Sequence, residues 1–259
     1  MDAQSPVVEL GLASAVARVA ASDRLLVASD FDGTLAPLVD DPARARALPA
    51  AETALIGLAA LPRTEVALVS GRSLASLRAG VGHLSDHATL IGGHGIEWED
   101  AAPTPEETAR LDVLVRALDD VTEEVPGAWV ERKPFSAVIH LRRVSADEAV
   151  EAHAAALDVV HGGGYHVMLG HGVIEALVRE PAKGTAIAVL RRSVEADAVV
   201  YLGDDVTDDD VFATLGQDDL GISIGPTPTG ASFQVASPRA AAEVLTLLAE
   251  ERARLTARR

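Results

Sequence analysis

At 259 residues the chain is long enough to bury a sizeable core, as one large domain or two small ones. Its formal net charge of −17 argues against nucleic acid or an anionic membrane as the main partner, because both would be repelled over most of the surface. The absence of cysteine excludes disulfides and thiolate metal sites, and no run approaches the roughly 18 apolar residues of a membrane span, so a cytoplasmic location is expected.

Glu9 and Arg18 interrupt the apolar stretch near the start, which predicts an amphipathic helix and not a signal peptide. An apolar run from Leu25 to Val27 predicts a buried strand. It ends in Asp30, Asp32, Gly33 and Thr34, placing acid, glycine and hydroxyl at the carboxyl end of a strand, where open α/β sheets hold their ligands. A proline-rich loop with Asp40 and Asp41 spans Ala36 to Pro49. A helix is predicted from about Ala50 to Ala60, then a strand from Glu65 to Val69 closing in Ser70-Gly71-Arg72, and a helix from Ser73 to Ala79. A third strand, Thr89 to Gly92, runs into Gly93-His94-Gly95-Ile96-Glu97.

Beyond Pro103 the pattern changes. A helix is predicted over Glu106 to Glu124, strands at Trp129 to Lys133 and Ala137 to Arg142, a helix over Ala146 to His161, and strands at Tyr165 to Leu169 and Val173 to Val178. The βα alternation then resumes: helix Lys183 to Val194, strand Ala198 to Leu202 ending in Gly203-Asp204-Asp205, a short helix, strand Gly221 to Ile224, a loop from Gly225 to Gly230, and a helix from Arg239 to about Ala253. The expected fold is α/β, a parallel-sheet core over residues 1–100 and 181–259 with an inserted α+β domain over 101–180.

Four stretches far apart in sequence fall on one edge of such a sheet: Asp30 with Asp32, Ser70, Lys183, and the acidic run from Asp204 to Asp210. Asp30, Asp32, Asp204 and Asp208 brought together without a cation would repel one another. Oxygen ligands alone, with no cysteine, point to magnesium, which shares its coordination sphere with phosphate oxygens. A carboxylate can then act as nucleophile on phosphorus, with the Ser70 hydroxyl on a phosphoryl oxygen and Lys183 offsetting charge. Of 22 basic residues only Lys133 and Lys183 are lysines, and Lys183 opens a helix, where a cation is disfavoured, so its presence there favours a functional role.

With these motifs the chain resembles the haloacid dehalogenase-like phosphatase superfamily, which implies a Rossmann-like core and a cap of the C2B type. By that resemblance Asp30 attacks phosphorus to give an aspartyl phosphate, and Asp32 protonates the leaving oxygen and then deprotonates water. Magnesium is held by Asp30, the backbone carbonyl of Asp32, and Asp204, with Asp208 as ligand or support. Val69-Ser70-Gly71-Arg72, Gly93-His94-Gly95-Ile96-Glu97, the spacing E-x-K-x-x-S-x-x-x-H-x-R from Glu131 to Arg142, and Gly203-Asp204-Asp205-Val206-Thr207-Asp208 resemble trehalose-6-phosphate phosphatases.

Within the inserted domain, Glu131 shares a strand face with Lys133, and His140 shares one with Arg142, a set of groups suited to sugar hydroxyls. Arg72, His94, Glu131, Lys133, His140, Arg142 and Glu175 are the expected substrate-binding residues. Glu175 lies in Glu175-Ala176-Leu177-Val178 where the family usually has E-x-R-P, with Arg179 and Pro181 displaced. The expected substrate is a phosphorylated sugar: trehalose 6-phosphate, or a related disaccharide or carbasugar phosphate such as sucrose 6-phosphate or validoxylamine 7'-phosphate. A phosphomutase and a non-enzymatic phospho-receiver are the rival readings. His153, His161, His166 and His171 are given no role, and the oligomeric state is left open.

Overall fold

The structure, a computed structural model, describes residues 10–257 apart from 40, 171 and 228; Glu9, Asp40 and His171 therefore lie outside the described residues. Two compact units are present, one comprising the chain up to Gly95 and from Ala182 onward, the other Ile96–Pro181.

The first unit begins with α1 (Leu10–Ala20), β1 (Leu25–Ser29), α2 (Pro49–Ala59), β2 (Thr64–Val69), α3 (Leu74–Val81) and β3 (Thr89–Ile91). The second contains α4 (Pro105–Thr122), β4 (Trp129–Arg132), β5 (Ser136–His140), α5 (Ala146–Gly162), β6 (His166–Gly170) and β7 (Val173–Leu177). The chain returns to the first with α6 (Lys183–Ser193), β8 (Ala198–Gly203), the one-turn α7 (Asp209–Phe212), β9 (Leu220–Ile224), β10 (Phe233–Val235) and α8 (Pro238–Thr256).

The first unit's sheet runs β10-β9-β8-β1-β2-β3, and every neighbouring pair is parallel. β1 is buried along its whole length, as a continuous apolar run in mid-sheet requires. Its side chains alternate between faces. Leu25 and Val27 join Val16 and Val19 of α1, Leu55 and Leu58 of α2, and Leu245 and Leu248 of α8 in one hydrophobic cluster. With only four phenylalanines in the chain, aliphatic side chains fill this core.

Leu25 is level with Thr64 on one side and Ala198 on the other, so β1, β2 and β8 finish side by side. The chain builds outward from β1 to β3 in one direction and from β8 to β10 in the other. Strand order therefore reverses between β1 and β8, which opens a crevice at their carboxyl ends.

The second unit is a four-stranded antiparallel sheet, β4-β5-β7-β6. Ala137, Ile139, Ile174 and Ala176 are fully buried on the face covered by α4 and α5, whose Leu111, Leu114, Leu118, Ala152, Ala156 and Val160 are buried as well. Thr104 and Glu107 form a capping box that starts α4, and Glu107 also takes a two-pronged ion pair from Arg179 at 2.8 and 2.9 Å.

Two expectations change and one strand goes unforeseen. β4 stops before Lys133, because Lys133 opens the tight Pro134 turn and its amide donates to the Ser136 carbonyl at 2.8 Å. β5 stops at His140, so Arg142 lies in an exposed turn and not on the strand beside it. β10, three residues long, is too short for period-two alternation to reveal.

Arg252 of α8 is 1 % exposed and donates to the carbonyls of Ala20, Ser22, Asp23 and Arg63 and to the Thr64 hydroxyl. It thereby fastens the segments that lead into β1 and β2. Arg252→Ala is expected to cost about 3 kcal/mol in urea unfolding, since it strips donors from several buried carbonyls at once. A loss below about 1 kcal/mol would contradict that role.

Candidate active site

At the carboxyl end of β1 the Asp30 amide is pinned to the Leu202 carbonyl of β8 at 2.8 Å, which sets Asp30 beside the segment that carries Asp204. Asp30, Asp204 and Asp208 each present a carboxylate oxygen within 4.8 Å of the other two. Lys183, the first residue of α6, reaches into this group with its Nζ 2.8 Å from Asp208 and 3.5 Å from Asp30. Asp30, Lys183 and Asp208 are all buried. Ser70 follows β2, its amide donating to the Ile91 carbonyl and its hydroxyl accepting from the Arg72 amide.

Asp208 is saturated. One oxygen accepts from Lys183 and from the Tyr201 hydroxyl at 2.7 Å, and the other accepts from the backbone amides of Asp204 and Asp205 at 3.0 and 3.1 Å. Four bonds fill its lone-pair positions, so Asp208 orders the loop and the lysine. Tyr201, a fully buried residue of β8, belongs to this network and escapes sequence reasoning, since a tyrosine inside a strand reads as one more β-former. Its only signal is that a buried phenol needs a partner.

Asp30 is different. Its Oδ1 is a buried oxygen with no hydrogen-bond partner, and the nearby ammonium stands at 3.5 Å. Burial pushes the Asp30 carboxyl well above its usual range, opposed by Lys183 and reinforced by Asp208 and Asp204. Burial and then Asp208 raise Asp204 to about 7. Desolvation acts to lower the Lys183 ammonium, but Asp30 and Asp208 outweigh it and hold the group above its ordinary value. An orphaned carboxylate oxygen within reach of a second carboxylate of raised pKa is a donor set that a divalent cation satisfies. Asp30 and Asp204 would hold it.

Two glycines make the cluster possible. A Cβ on Gly33, whose φ is +75°, would lie 1.9 Å from the Asp204 carboxylate, and one on Gly203 would lie 2.4 Å from the Asp208 carboxyl carbon. Thr34 donates to Asp204 at 3.2 Å and Thr207 accepts from Lys183 at 3.3 Å.

The other expected residues divide into three groups. Asp32 does not join the three carboxylates: both its oxygens accept from Arg72, at 2.6 and 2.7 Å. Arg72, expected among the substrate-binding residues, is thus turned inward onto Asp32. His94, with φ at +56°, packs its ring against Gly71, where any Cβ would clash.

In the second unit, Glu131 accepts from His140 Nε2 at 3.0 Å, and that bond holds its carboxyl below the usual value. His140 is stacked at 3.9 Å on Trp129. Lys133 donates to both oxygens of Glu175 at 2.9 and 3.0 Å, and Ser136 to one at 2.6 Å. Arg142 lies on the turn that follows β5. Arg179 is engaged by Glu107 and by the Phe135 ring, 4.5 Å from its guanidinium carbon.

Residues 28–243 match the family model of trehalose-phosphatases. The chain belongs to the trehalose-phosphatase family. It is 37% identical over 245 residues to a trehalose-phosphate phosphatase of Mycolicibacterium paratuberculosis, covering 86% of this chain and 61% of that protein. A second such phosphatase, from Mycobacterium avium, is 36% identical with the same coverage. The chain thus spans about three-fifths of the length of these curated relatives. The C-terminal domain of C. albicans trehalose-6-phosphate phosphatase superposes with a TM-score of 0.76 at 25% identity, over 93% of this chain and 97% of that one. As a member of the trehalose-phosphatase family the chain shares its α/β core.

A carboxyl held at about 7 in the fold and near 3.8 when unfolded binds more protons in the folded state between those values, so this site costs stability as pH rises through that window. The cation-free thermal midpoint is expected to fall between about pH 5 and pH 8, and saturating divalent cation to raise it more at the higher pH. Asp204→Asn should flatten both trends. Equal slopes in variant and wild type would contradict the assignment.

Proposed function

We propose that this chain is a magnesium-dependent phosphatase that hydrolyses trehalose 6-phosphate through an aspartyl phosphate on Asp30. The observation that carries the reading is the buried Asp30 oxygen, without a hydrogen bond, beside Lys183 and Asp204 at the switch point of a trehalose-phosphatase family sheet. Bound magnesium, held by Asp30, Asp204 and the Asp32 carbonyl with Asp208 in support, would neutralise charge on the phosphoryl oxygens.

Asp30 Oδ attacks phosphorus, and the bond from phosphorus to the sugar oxygen breaks with its electron pair going to that oxygen. Asp32 gives the oxygen a proton and becomes a carboxylate. Water then attacks phosphorus, passes its proton to Asp32, and the phosphorus–Asp30 bond breaks to return the free carboxylate and inorganic phosphate. Ser70 donates to a phosphoryl oxygen, and Lys183 stabilises the negative charge that builds on the transferring group.

The sugar hydroxyls are read by the second unit's polar groups, the Glu131–His140 and Lys133–Glu175 pairs, whose geometry is already fixed by their own hydrogen bonds. A related disaccharide or carbasugar phosphate is the second reading. It is favoured by Leu177 and Val178 standing where the family usually has arginine and proline, and by Arg179 being committed to Glu107.

Asp30→Asn is expected to abolish phosphate release, to below about one part in a thousand, while circular dichroism stays that of the wild type. Residual activity of a tenth or so, with contamination excluded, would remove Asp30 as nucleophile. Glu131→Ala is expected to raise KM for trehalose 6-phosphate about tenfold or more and to leave p-nitrophenyl phosphate turnover within about twofold. Equal losses on both would show that Glu131 does not read sugar. A phosphate-release screen over trehalose 6-phosphate, sucrose 6-phosphate, glucose 6-phosphate and mannose phosphates decides between the two substrate readings.

A further inference from the structure

Arg72 is nine-tenths buried, yet its guanidinium is spent on a carboxylate that is a third exposed. Nε donates to Asp32 Oδ2 at 2.6 Å and one terminal nitrogen to Asp32 Oδ1 at 2.7 Å. The same nitrogen donates to the Pro42 carbonyl at 2.6 Å, and the guanidinium carbon lies 5.0 Å from the centre of the Phe31 ring. Pro42 starts a one-turn 3-10 helix, Pro42–Arg44, that is capped by the side chain of Asp41. The backbone of Arg72 is fixed too: its amide donates to Ser70 and its carbonyl accepts from Gly93. The guanidinium is therefore immobilised from several sides before it meets Asp32.

An ion pair between flexible exposed chains contributes little to stability, but a two-pronged pair from an immobilised arginine fixes the plane of the carboxylate it holds. Asp32 has about four lone-pair positions, and the fork occupies one on each oxygen. The remaining two stay available on a carboxylate that is a third exposed. That is the geometry an acid–base residue needs if one oxygen is to deliver a proton to a leaving oxygen and later accept one from water, because misplacement by about 1 Å can cost about a hundredfold in rate.

We infer that Arg72 is the positioning residue of the acid–base step, acting through Asp32 and not on the substrate. The inference rests on the phosphatase reading given above and deepens it. The step itself is unchanged: the proton leaves Asp32 for the departing sugar oxygen, and returns to Asp32 from water. Arg72 exchanges no proton and forms no bond to substrate.

The test compares Arg72→Lys, Arg72→Gln, Asp32→Asn and the double variant Asp32→Asn with Arg72→Gln. Two substrates are used: trehalose 6-phosphate, whose alkoxide must be protonated to leave, and p-nitrophenyl phosphate, whose phenolate leaves unaided. With trehalose 6-phosphate, Arg72→Gln is expected to lower kcat about a hundredfold and to leave KM within about threefold. With p-nitrophenyl phosphate it should show a burst of nitrophenolate and then slow turnover, because phosphorylation of Asp30 proceeds while the water step fails. Arg72→Lys, which keeps the charge and loses the fork, should recover less than about a tenth of the lost rate. The double variant should be no slower than Asp32→Asn alone, since both substitutions remove one function.

A rise in KM of about tenfold with kcat preserved would make Arg72 a substrate ligand and overturn the inference. So would equal loss on both substrates with no burst, or additive losses in the double variant, either of which marks a merely structural arginine. Arg72→Lys keeps the comparison decisive if Arg72→Gln does not fold. A wild-type protein that turns over neither substrate would instead overturn the phosphatase reading itself, a result distinct from any pattern among the variants.

Discussion

The carboxylate cluster at the sheet edge is held together by one ammonium. Lys183 lies within 3.5 Å of Asp30 and 2.8 Å of Asp208, in a place where several carboxylates would otherwise stand close together out of water. One carboxylate, Asp208, is compensated in full, by Lys183, Tyr201 and two backbone amides. Another, Asp30, is compensated only in part: its Oδ1 is buried without a hydrogen bond, with the Lys183 ammonium standing 3.5 Å away. The unequal distribution of donors separates a carboxylate whose bonds are filled from one with an oxygen left open, and it is the second that the proposed function uses as nucleophile.

This arrangement follows from the sheet. Parallel pairing of β1 with β8 ends both strands at one level, and the reversal of strand order there leaves the crevice open. The strands bring the acids together, and the glycines at positions 33 and 203 let the carboxylates approach each other's backbone without a side chain in the way. The polar residues of the second unit obey the same economy. Glu175 is held by Lys133 and Ser136, and Glu131 by His140, so each carboxylate on that sheet has its orientation set within its own unit.

Asp30, Ser70, Lys183 and Asp204 are legible in the amino-acid sequence because each sits at a change of pattern, where an apolar strand stops or a helix begins with the wrong charge. What resists reading is partner choice. Arg72 is recognisable as a polar residue after β2, but its engagement with Asp32, forty residues earlier, depends on which strands pair and in what register. Tyr201 carries no local signal at all, being surrounded by strand residues on both sides. Arg142 fails for the opposite reason. Alternation carries the predicted strand past His140, but the chain turns at Leu141, whose amide bonds to the Gly172 carbonyl, and the arginine leaves the face it was expected to share.

Under the proposed function Asp30, in the company of a divalent cation and Lys183, carries a phosphoryl group. Beryllofluoride, which mimics a phosphoryl group on a carboxylate, tests it most directly by fluorine magnetic resonance of the folded protein. A bound signal is expected in the wild type when magnesium is present, and none in Asp30→Asn or when the cation is chelated. A bound signal that persists without Asp30, or its absence from a wild-type protein that releases phosphate from sugar phosphates, would contradict it.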